Sequence, residues 1–185
     1  GEYVIRYVDR IDEEKRQIWF RASGRNRRQD PYLMHYYRVN FDGTGLTALT
    51  KGNGWHKIVY SPDRKFIIDS YSRVDLPPVH ELRRVSDGKL VCKLERADVS
   101  ELKAEGWKPP EVFKAKGRDG KTDIWGIVCR PTDFDPKKKY PVLESMYAGP
   151  HDSYVPKQFS SGRPFSTWTD MGFVVVKMDG MGTAN

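Results

Sequence analysis

The fold of the second half of the chain is decided by one stretch, Lys139-Tyr140-Pro141-Val142-Leu143-Glu144-Ser145-Met146-Tyr147-Ala148-Gly149-Pro150, in which a short apolar strand breaks into a Gly-Pro turn. A second apolar run, Phe173 to Asp179, breaks in a similar way at Gly180 and Gly182. In open α/β sheets, sites form where such strand ends give way to loops. The two strands therefore predict a site at this edge of a sheet, with Tyr147 at the carboxyl end of the first strand.

Residues 1–95 show a different pattern, in which short strands alternate with turn signals, as in all-β structures. Asp42-Gly43 and Asp87-Gly88 supply the positive φ that tight hairpins need, and these two turns lie 45 residues apart. A period of about 40–50 residues with four strands per unit is typical of β-propeller blades. A β-sandwich, which has similar strands without the period, is the alternative. The predicted strands are 3–8, 17–22, 32–40, 46–50, 56–60, 66–71, 79–85 and 89–94.

Residues 96–110 are predicted to be a linker that contains a short helix. Asp98 is the expected N-cap of this helix, and Gly106 is its expected stop. Pro109-Pro110 then favours extended backbone. The linker thus separates two regions of different composition.

Residues 111–185 begin with a predicted hairpin around Asp119-Gly120, followed by the two apolar strands and, between them, a helical turn over 165–171. A hairpin followed by buried strands with helical crossovers indicates the start of an α/β sheet. The predicted fold class is therefore mixed: β-propeller blades followed by the N-terminal part of an α/β sheet.

Composition excludes few functions. The net charge of +7 is concentrated in Arg25 to Arg28 and Lys137 to Lys139, but both runs adjoin turn residues, which favours solvated loops over a nucleic-acid surface. Cys92 and Cys129 form no CxxC pair, and the four histidines show no metal-binding spacing. We expect no metal, cofactor, nucleic-acid partner or membrane-spanning segment.

The succession of motifs resembles one known family. Propeller strands, a short helical linker, a hairpin, the stretch from Lys138 to Pro150 and the later Asp179-Gly180-Met181-Gly182 are similar to the prolyl oligopeptidase family of serine peptidases, in its dipeptidyl peptidase IV-like branch. The resemblance covers the whole chain, and Tyr147-Ala148-Gly149-Pro150 is its most specific element. It implies the last blades of a β-propeller over 1–95, the linker over 96–110 and the N-terminal part of an α/β-hydrolase domain over 111–185.

The resemblance also implies a catalytic triad in the order Ser, Asp, His, with the serine in a G-x-S-x-G motif. The sequence contains no such motif, so no triad residue is assigned, and the chain is expected to be a fragment truncated before the nucleophile. Tyr147 matches the family tyrosine whose hydroxyl helps to form the oxyanion hole. A phenol suits this task because it keeps its proton at neutral pH and can donate to a developing oxyanion.

Several polar or unusual residues near Tyr147 receive weaker interpretations. Asp179 is interpreted as a turn-forming aspartate before Gly180 rather than a catalytic acid, and His151 as an exposed loop histidine. Glu144 lies in a strand that should be largely buried, and no role is assigned to it. Met181 stands where many relatives carry arginine, which puts a contact of that side chain in doubt.

The function implied by the resemblance is that of a dipeptidyl aminopeptidase that cleaves dipeptides from peptide N-termini through an acyl-enzyme, with a small or prolyl second residue. The isolated chain is expected to be inactive. The alternative is a propeller-derived binding module with a degenerate, non-catalytic hydrolase domain. Peptides are the expected partners, while a homodimeric parent and a periplasmic or extracellular location stay open.

Overall fold

The computed structural model describes residues 3–147, 149–150 and 153–183. The chain forms two compact units, the first ending at Ala97 and the second beginning at Asp98. The assignment of 1–95, 96–110 and 111–185 to a propeller, a linker and a hydrolase domain stays a prediction.

The first unit contains two four-stranded sheets in which every neighbouring pair of strands is antiparallel. The first sheet has the order β1 (Val4–Asp12), β2 (Gln17–Ser23), β3 (His35–Asn40) and β4 (Thr47–Ala48). The second has the order β5 (Trp55–Tyr60), β6 (Phe66–Arg73), β7 (Leu76–Arg84) and β8 (Leu90–Arg96). The eight predicted strands and their division into two units of four are thus found, with shifted ends.

The largest shift at a strand start in the second sheet concerns β7. It begins at Leu76 and includes Pro77 and Pro78, whereas the predicted strand begins at Val79. Proline lacks the N–H that a ladder needs, so the prediction places the two prolines outside the strand. The structure accommodates them near the strand start, where the pairing of β6 with β7 is irregular between Tyr71 and Arg73.

The core of the first unit is shared by its two sheets. Trp19 and Tyr36 from the first sheet cluster with Ile67 from the second, together with Leu49 and Val85. Ile67 and Leu49 are fully buried. Apolar side chains at alternate strand positions therefore form one core between two consecutive four-stranded sheets, as expected for neighbouring blades.

The second unit contains one four-stranded sheet in the order β11 (Val142–Met146), β12 (Val174–Met178), β10 (Asp123–Cys129) and β9 (Glu111–Lys116). Its strands β11 and β12 are parallel, while β9–β10 and β10–β12 are antiparallel. The predicted hairpin is present, and Gly120 in its turn has φ of +68°. The elements are α1 (Ser100–Ala104), β9 (Glu111–Lys116), β10 (Asp123–Cys129), β11 (Val142–Met146), α2 (Ser166–Asp170) and β12 (Val174–Met178).

The helix in the predicted linker begins later than expected. Its N-cap is Val99 and makes no side-chain capping bond, so the prediction of Asp98 as N-cap is wrong. The Asp98 carboxylate instead accepts hydrogen bonds from the backbone N–H and the hydroxyl of Ser100. The Asp98 side chain thus forms a local turn with Ser100, and such side-chain bonds to nearby backbone compete with the role of helix N-cap. Gly106, the predicted stop, follows the helix at φ of +83°.

Candidate active site at the carboxyl ends of the parallel strands

The register of the two parallel strands brings two polar residues to one edge of the sheet. Met146 of β11 pairs with Met178 of β12, so Tyr147 and Asp179 are the next residues along neighbouring parallel strands. The carboxyl ends of parallel strands meet at the same edge, where α/β folds form their sites. The structure therefore has Tyr147 at the kind of position that the sequence predicts.

The Tyr147 side chain is 55% exposed, so its ring is not part of a core. The ring lies over Gly149: a Cβ added to that glycine would lie only 2.4 Å from the Tyr147 ring. A side chain at this position would displace the Tyr147 ring from its present place, so glycine is compatible with the observed ring position. Ala148, between them, lies outside the described residues.

The ring of Tyr154 also contacts the ring of Tyr147. Its ring centroid lies 5.1 Å from that of Tyr147, with an angle of 50° between the planes, a favourable tilted geometry for aromatic pairs. The ammonium of Lys177 lies 3.5 Å from the centroid of the Tyr154 ring, which is cation–π geometry. Tyr154 thus contacts both Tyr147 and a largely buried lysine of the central strand β12.

Asp179 is 1% exposed, and both of its carboxylate oxygens accept hydrogen bonds from the loop that follows β11. The backbone N–H of Tyr154 donates to Oδ1 at 2.7 Å, and the hydroxyl of Ser153 donates to Oδ2 at 2.7 Å. The turn after Asp179 is closed by Thr183, whose hydroxyl accepts from the N–H of Gly180. The interpretation of Asp179 as a turn-forming residue therefore misses the loop contacts that its carboxylate makes.

Glu144 is exposed, and the expectation that its strand is largely buried is wrong. Val142, Glu144 and Met146 lie on the same face of β11, because side chains alternate between the two faces of a strand, and this face is exposed. Met181 is also 43% exposed, and its Sδ lies 3.2 Å from where a Cβ on Gly117 would be. Its side chain therefore packs against the end of the β9–β10 hairpin.

Comparisons with known proteins find similarity to dipeptidyl peptidases. Residues 1–78 match the dipeptidyl peptidase IV (DPP IV) N-terminal region. The chain is 28% identical to human dipeptidyl peptidase 8 over 95% of its own length and 28% identical to dipeptidyl-aminopeptidase B of Aspergillus niger over 99%. The chain is similar to dipeptidyl peptidase IV and to other dipeptidyl peptidases. The chain spans 20% of the length of each of these two relatives.

The fold of this dipeptidyl peptidase IV-like chain matches that of a solved relative. The crystal structure of Porphyromonas gingivalis dipeptidyl peptidase 4 superposes on all of the chain with a TM-score of 0.76 and 22% identity, and the chain covers 25% of it. At this identity the match establishes the fold alone. It favours propeller blades over the β-sandwich as the form of the first unit.

The described part of the chain contains neither a metal-binding cluster nor a membrane-spanning helix. Over residues 3–147, 149–150 and 153–183, no group of three or more histidine, cysteine, aspartate or glutamate side chains is arranged to hold a metal ion. In the same part of the chain, no helix is both long and apolar enough to cross a bilayer. His151 lies outside the described residues.

Proposed function

We propose that the protein to which this chain belongs is a serine-type dipeptidyl aminopeptidase, and that Tyr147 donates a hydrogen bond to the oxyanion of its reaction. The observation that carries the proposal is the exposed phenol at the carboxyl end of a parallel strand. Relatives named as dipeptidyl peptidases or dipeptidyl-aminopeptidases support the reaction class.

The chemistry requires a donor at one defined point. When a serine attacks the scissile carbonyl, the carbonyl oxygen becomes an anion, and a preorganised donor stabilises it more than it stabilises the neutral substrate. The Tyr147 ring is packed against Gly149 and Tyr154. The hydroxyl therefore sits on a ring whose orientation is restricted before substrate binds, which suits an oxyanion donor.

The proposal assigns no triad residue to this chain, since the sequence has no G-x-S-x-G motif. The purified 185-residue chain is therefore expected to hydrolyse no dipeptidyl p-nitroanilide and to take up no fluorophosphonate label. The full-length protein is expected to do both. Turnover by the chain alone would contradict this division of the site.

The role of Tyr147 is tested by Tyr147→Phe in the full-length protein, because this change removes the hydroxyl and keeps the ring. We expect kcat to fall by about 10²–10³, measured on dipeptidyl p-nitroanilides with a prolyl or alanyl second residue. Tyr140→Phe removes a phenol from the same stretch and is expected to leave kcat unchanged. Full activity of Tyr147→Phe would refute the oxyanion role, and a full-length protein that binds such peptides without cleaving them would be a binding module.

A further inference from the structure

Asp179, the residue opposite Tyr147 at the sheet edge, follows an inner strand of the sheet in the second unit. It directly follows β12, which lies between β11 and β10. Its backbone N–H donates to the carbonyl of Trp125 in β10 at 3.1 Å. The backbone of Asp179 is therefore anchored to the sheet, and its side chain starts from a fixed position.

The carboxylate connects this sheet to the loop after β11. Its two oxygens hold the Tyr154 N–H and the Ser153 hydroxyl, each at 2.7 Å. Hydrogen bonds to an ionised carboxylate are short and about twice as strong as neutral ones. Because Asp179 is 1% exposed, water competes little for these bonds. The carboxylate thus determines where the backbone of Tyr154 lies.

The position of Tyr154 in turn limits the position of Tyr147. The two rings are in contact, with 5.1 Å between their centroids. The Tyr154 ring also contacts Lys177, whose ammonium lies 3.5 Å from the ring centroid. The backbone of Tyr154 is bonded to Asp179 and its ring contacts Lys177. Both contacts restrict the position of Tyr154, and the Tyr147 ring packs against it.

We propose that Asp179 is a positioning residue, which holds Tyr154 and through it orients the Tyr147 hydroxyl toward the reacting carbonyl. The inference rests on the proposed peptidase function and adds to it a residue that does not touch substrate. Both carboxylate oxygens accept hydrogen bonds from the loop, and the side chain is 1% exposed, which favours a positioning role over direct contact with substrate. A shift of about 1 Å in a catalytic group is enough to lower a rate about a hundredfold.

The test is a double-mutant cycle in the full-length protein. Asp179→Asn keeps the size of the side chain but removes the charge and one acceptor, so kcat is expected to fall by between about tenfold and a hundredfold with KM little changed. In a Tyr147→Phe background the same change is expected to alter kcat less than about threefold, since the group that it positions is already gone. Asp170→Asn, which breaks the exposed pair with Arg163, is the matched control and is expected to have no effect in either background.

A second pair of variants covers the case in which Asp179→Asn does not fold. Tyr154 is 47% exposed, so Tyr154→Ala is expected to fold and to lower kcat about tenfold or more by removing the ring against which Tyr147 packs, while Tyr154→Phe keeps the ring and restores activity. Equal losses of kcat from Asp179→Asn with and without the Tyr147 hydroxyl, or full activity of Tyr154→Ala, would overturn the inference.

A spectroscopic measurement separates this inference from the peptidase proposal. With 3-fluorotyrosine incorporated at Tyr147 of the full-length protein, Asp179→Asn is expected to shift or broaden the ¹⁹F resonance, and Asp170→Asn is expected to leave it unchanged. An unchanged resonance in folded Asp179→Asn would refute the positioning role even in an active enzyme. If the wild-type protein has no peptidase activity, the proposed function fails, and the resonance alone decides whether Asp179 orients Tyr147.

Discussion

The Nδ1 of His56 lies 2.7 Å from Oδ1 of Asp69, and both side chains are completely buried. The other ring nitrogen lies 2.7 Å from the carbonyl oxygen of Gly52. A carbonyl and a carboxylate both accept, whereas a neutral imidazole has one N–H to donate. Each ring nitrogen of His56 therefore faces an oxygen acceptor. Arg83 donates to the second Asp69 oxygen and pairs with the buried Glu81, so these side chains form one buried polar network inside the second sheet.

This buried network predicts a large effect of Asp69→Asn. The change removes one partner of the buried Arg83–Asp69 ion pair and leaves the Arg83 charge without that carboxylate, so the free energy of unfolding of the first unit is expected to fall by about 3–5 kcal/mol. Hydrogen–deuterium exchange of peptides from β5 to β7 in increasing urea measures this. Asp63→Asn, which affects an exposed turn, is the control and is expected to cost less than about 1 kcal/mol. A small effect of Asp69→Asn would contradict this expectation.

His35 predicts a dependence of stability on pH. Burial, and next the nearby charge of His56, lower the pKa of His35 to about 3 from its usual 6.5. The unfolded chain takes up a proton at His35 below pH 6.5, whereas the folded chain resists this until about pH 3. The stability that His35 contributes is therefore present above pH 6.5 and is lost as the pH falls toward 3. The expected loss is about 1.4 kcal/mol per pH unit at its steepest.

The measurement is urea unfolding of the first unit at several pH values, for the wild type and for His35→Gln. The variant cannot take up that proton, so its free energy of unfolding is expected to fall less steeply between pH 6 and pH 4. The slopes of the two proteins against pH are expected to differ by the contribution of one proton. Parallel pH profiles for the two proteins would contradict the prediction. Carboxylates that titrate in the same range are common to both proteins and cancel in the difference.

The two Asp-Gly turns predict different costs for the same substitution. Gly43 and Gly88 both have positive φ, which strains an alanine by about 1–2 kcal/mol. A Cβ on Gly43 meets no atom within 4 Å, whereas one on Gly88 would lie 2.1 Å from the carbonyl oxygen of Ala48. We expect Gly88→Ala to lower the free energy of unfolding by about 3–5 kcal/mol in all. Equal decreases in the free energy of unfolding for Gly43→Ala and Gly88→Ala would show that the backbone at Ala48 can move away without loss of stability.

These examples show which features the sequence can predict. The strands follow from alternating apolar residues, and the turns from Asp-Gly pairs, because both signals are local. The position of Tyr147 follows from where an apolar strand breaks. The network of His56, Asp69 and Arg83 could not be predicted, because it joins three strands through their pairing. The partners of Asp179 lie 25 and 26 residues earlier in the chain, and no local pattern relates them.

Glu144 shows a different limit of sequence reasoning. An apolar run such as the one from Val142 to Met146 fits a central strand as well as a strand at the edge of a sheet. In the structure the face of β11 that carries Val142, Glu144 and Met146 is exposed. The burial of a strand residue therefore depends on what packs against its face of the sheet, which the residues of the strand do not specify.

The exposed side of β11 predicts that the purified 185-residue chain associates with itself. Val142 and Met146 are 65% and 61% exposed, beside a strand edge whose backbone groups lack a partner strand in the described part of the chain. Such an edge is a template for pairing with another copy. Sedimentation velocity is expected to show a mass that rises with concentration.

Val142→Lys is expected to reduce this association, because a lysine on an exposed strand opposes edge-to-edge pairing. Thr167→Lys adds the same charge to α2, away from the strand edge, and serves as the matched control; it is expected to leave the association unchanged. An equal reduction by both variants would show that net charge, rather than the β11 edge, governs the association. A wild-type chain that stays monomeric at every concentration would show that the edge is not used for pairing at all.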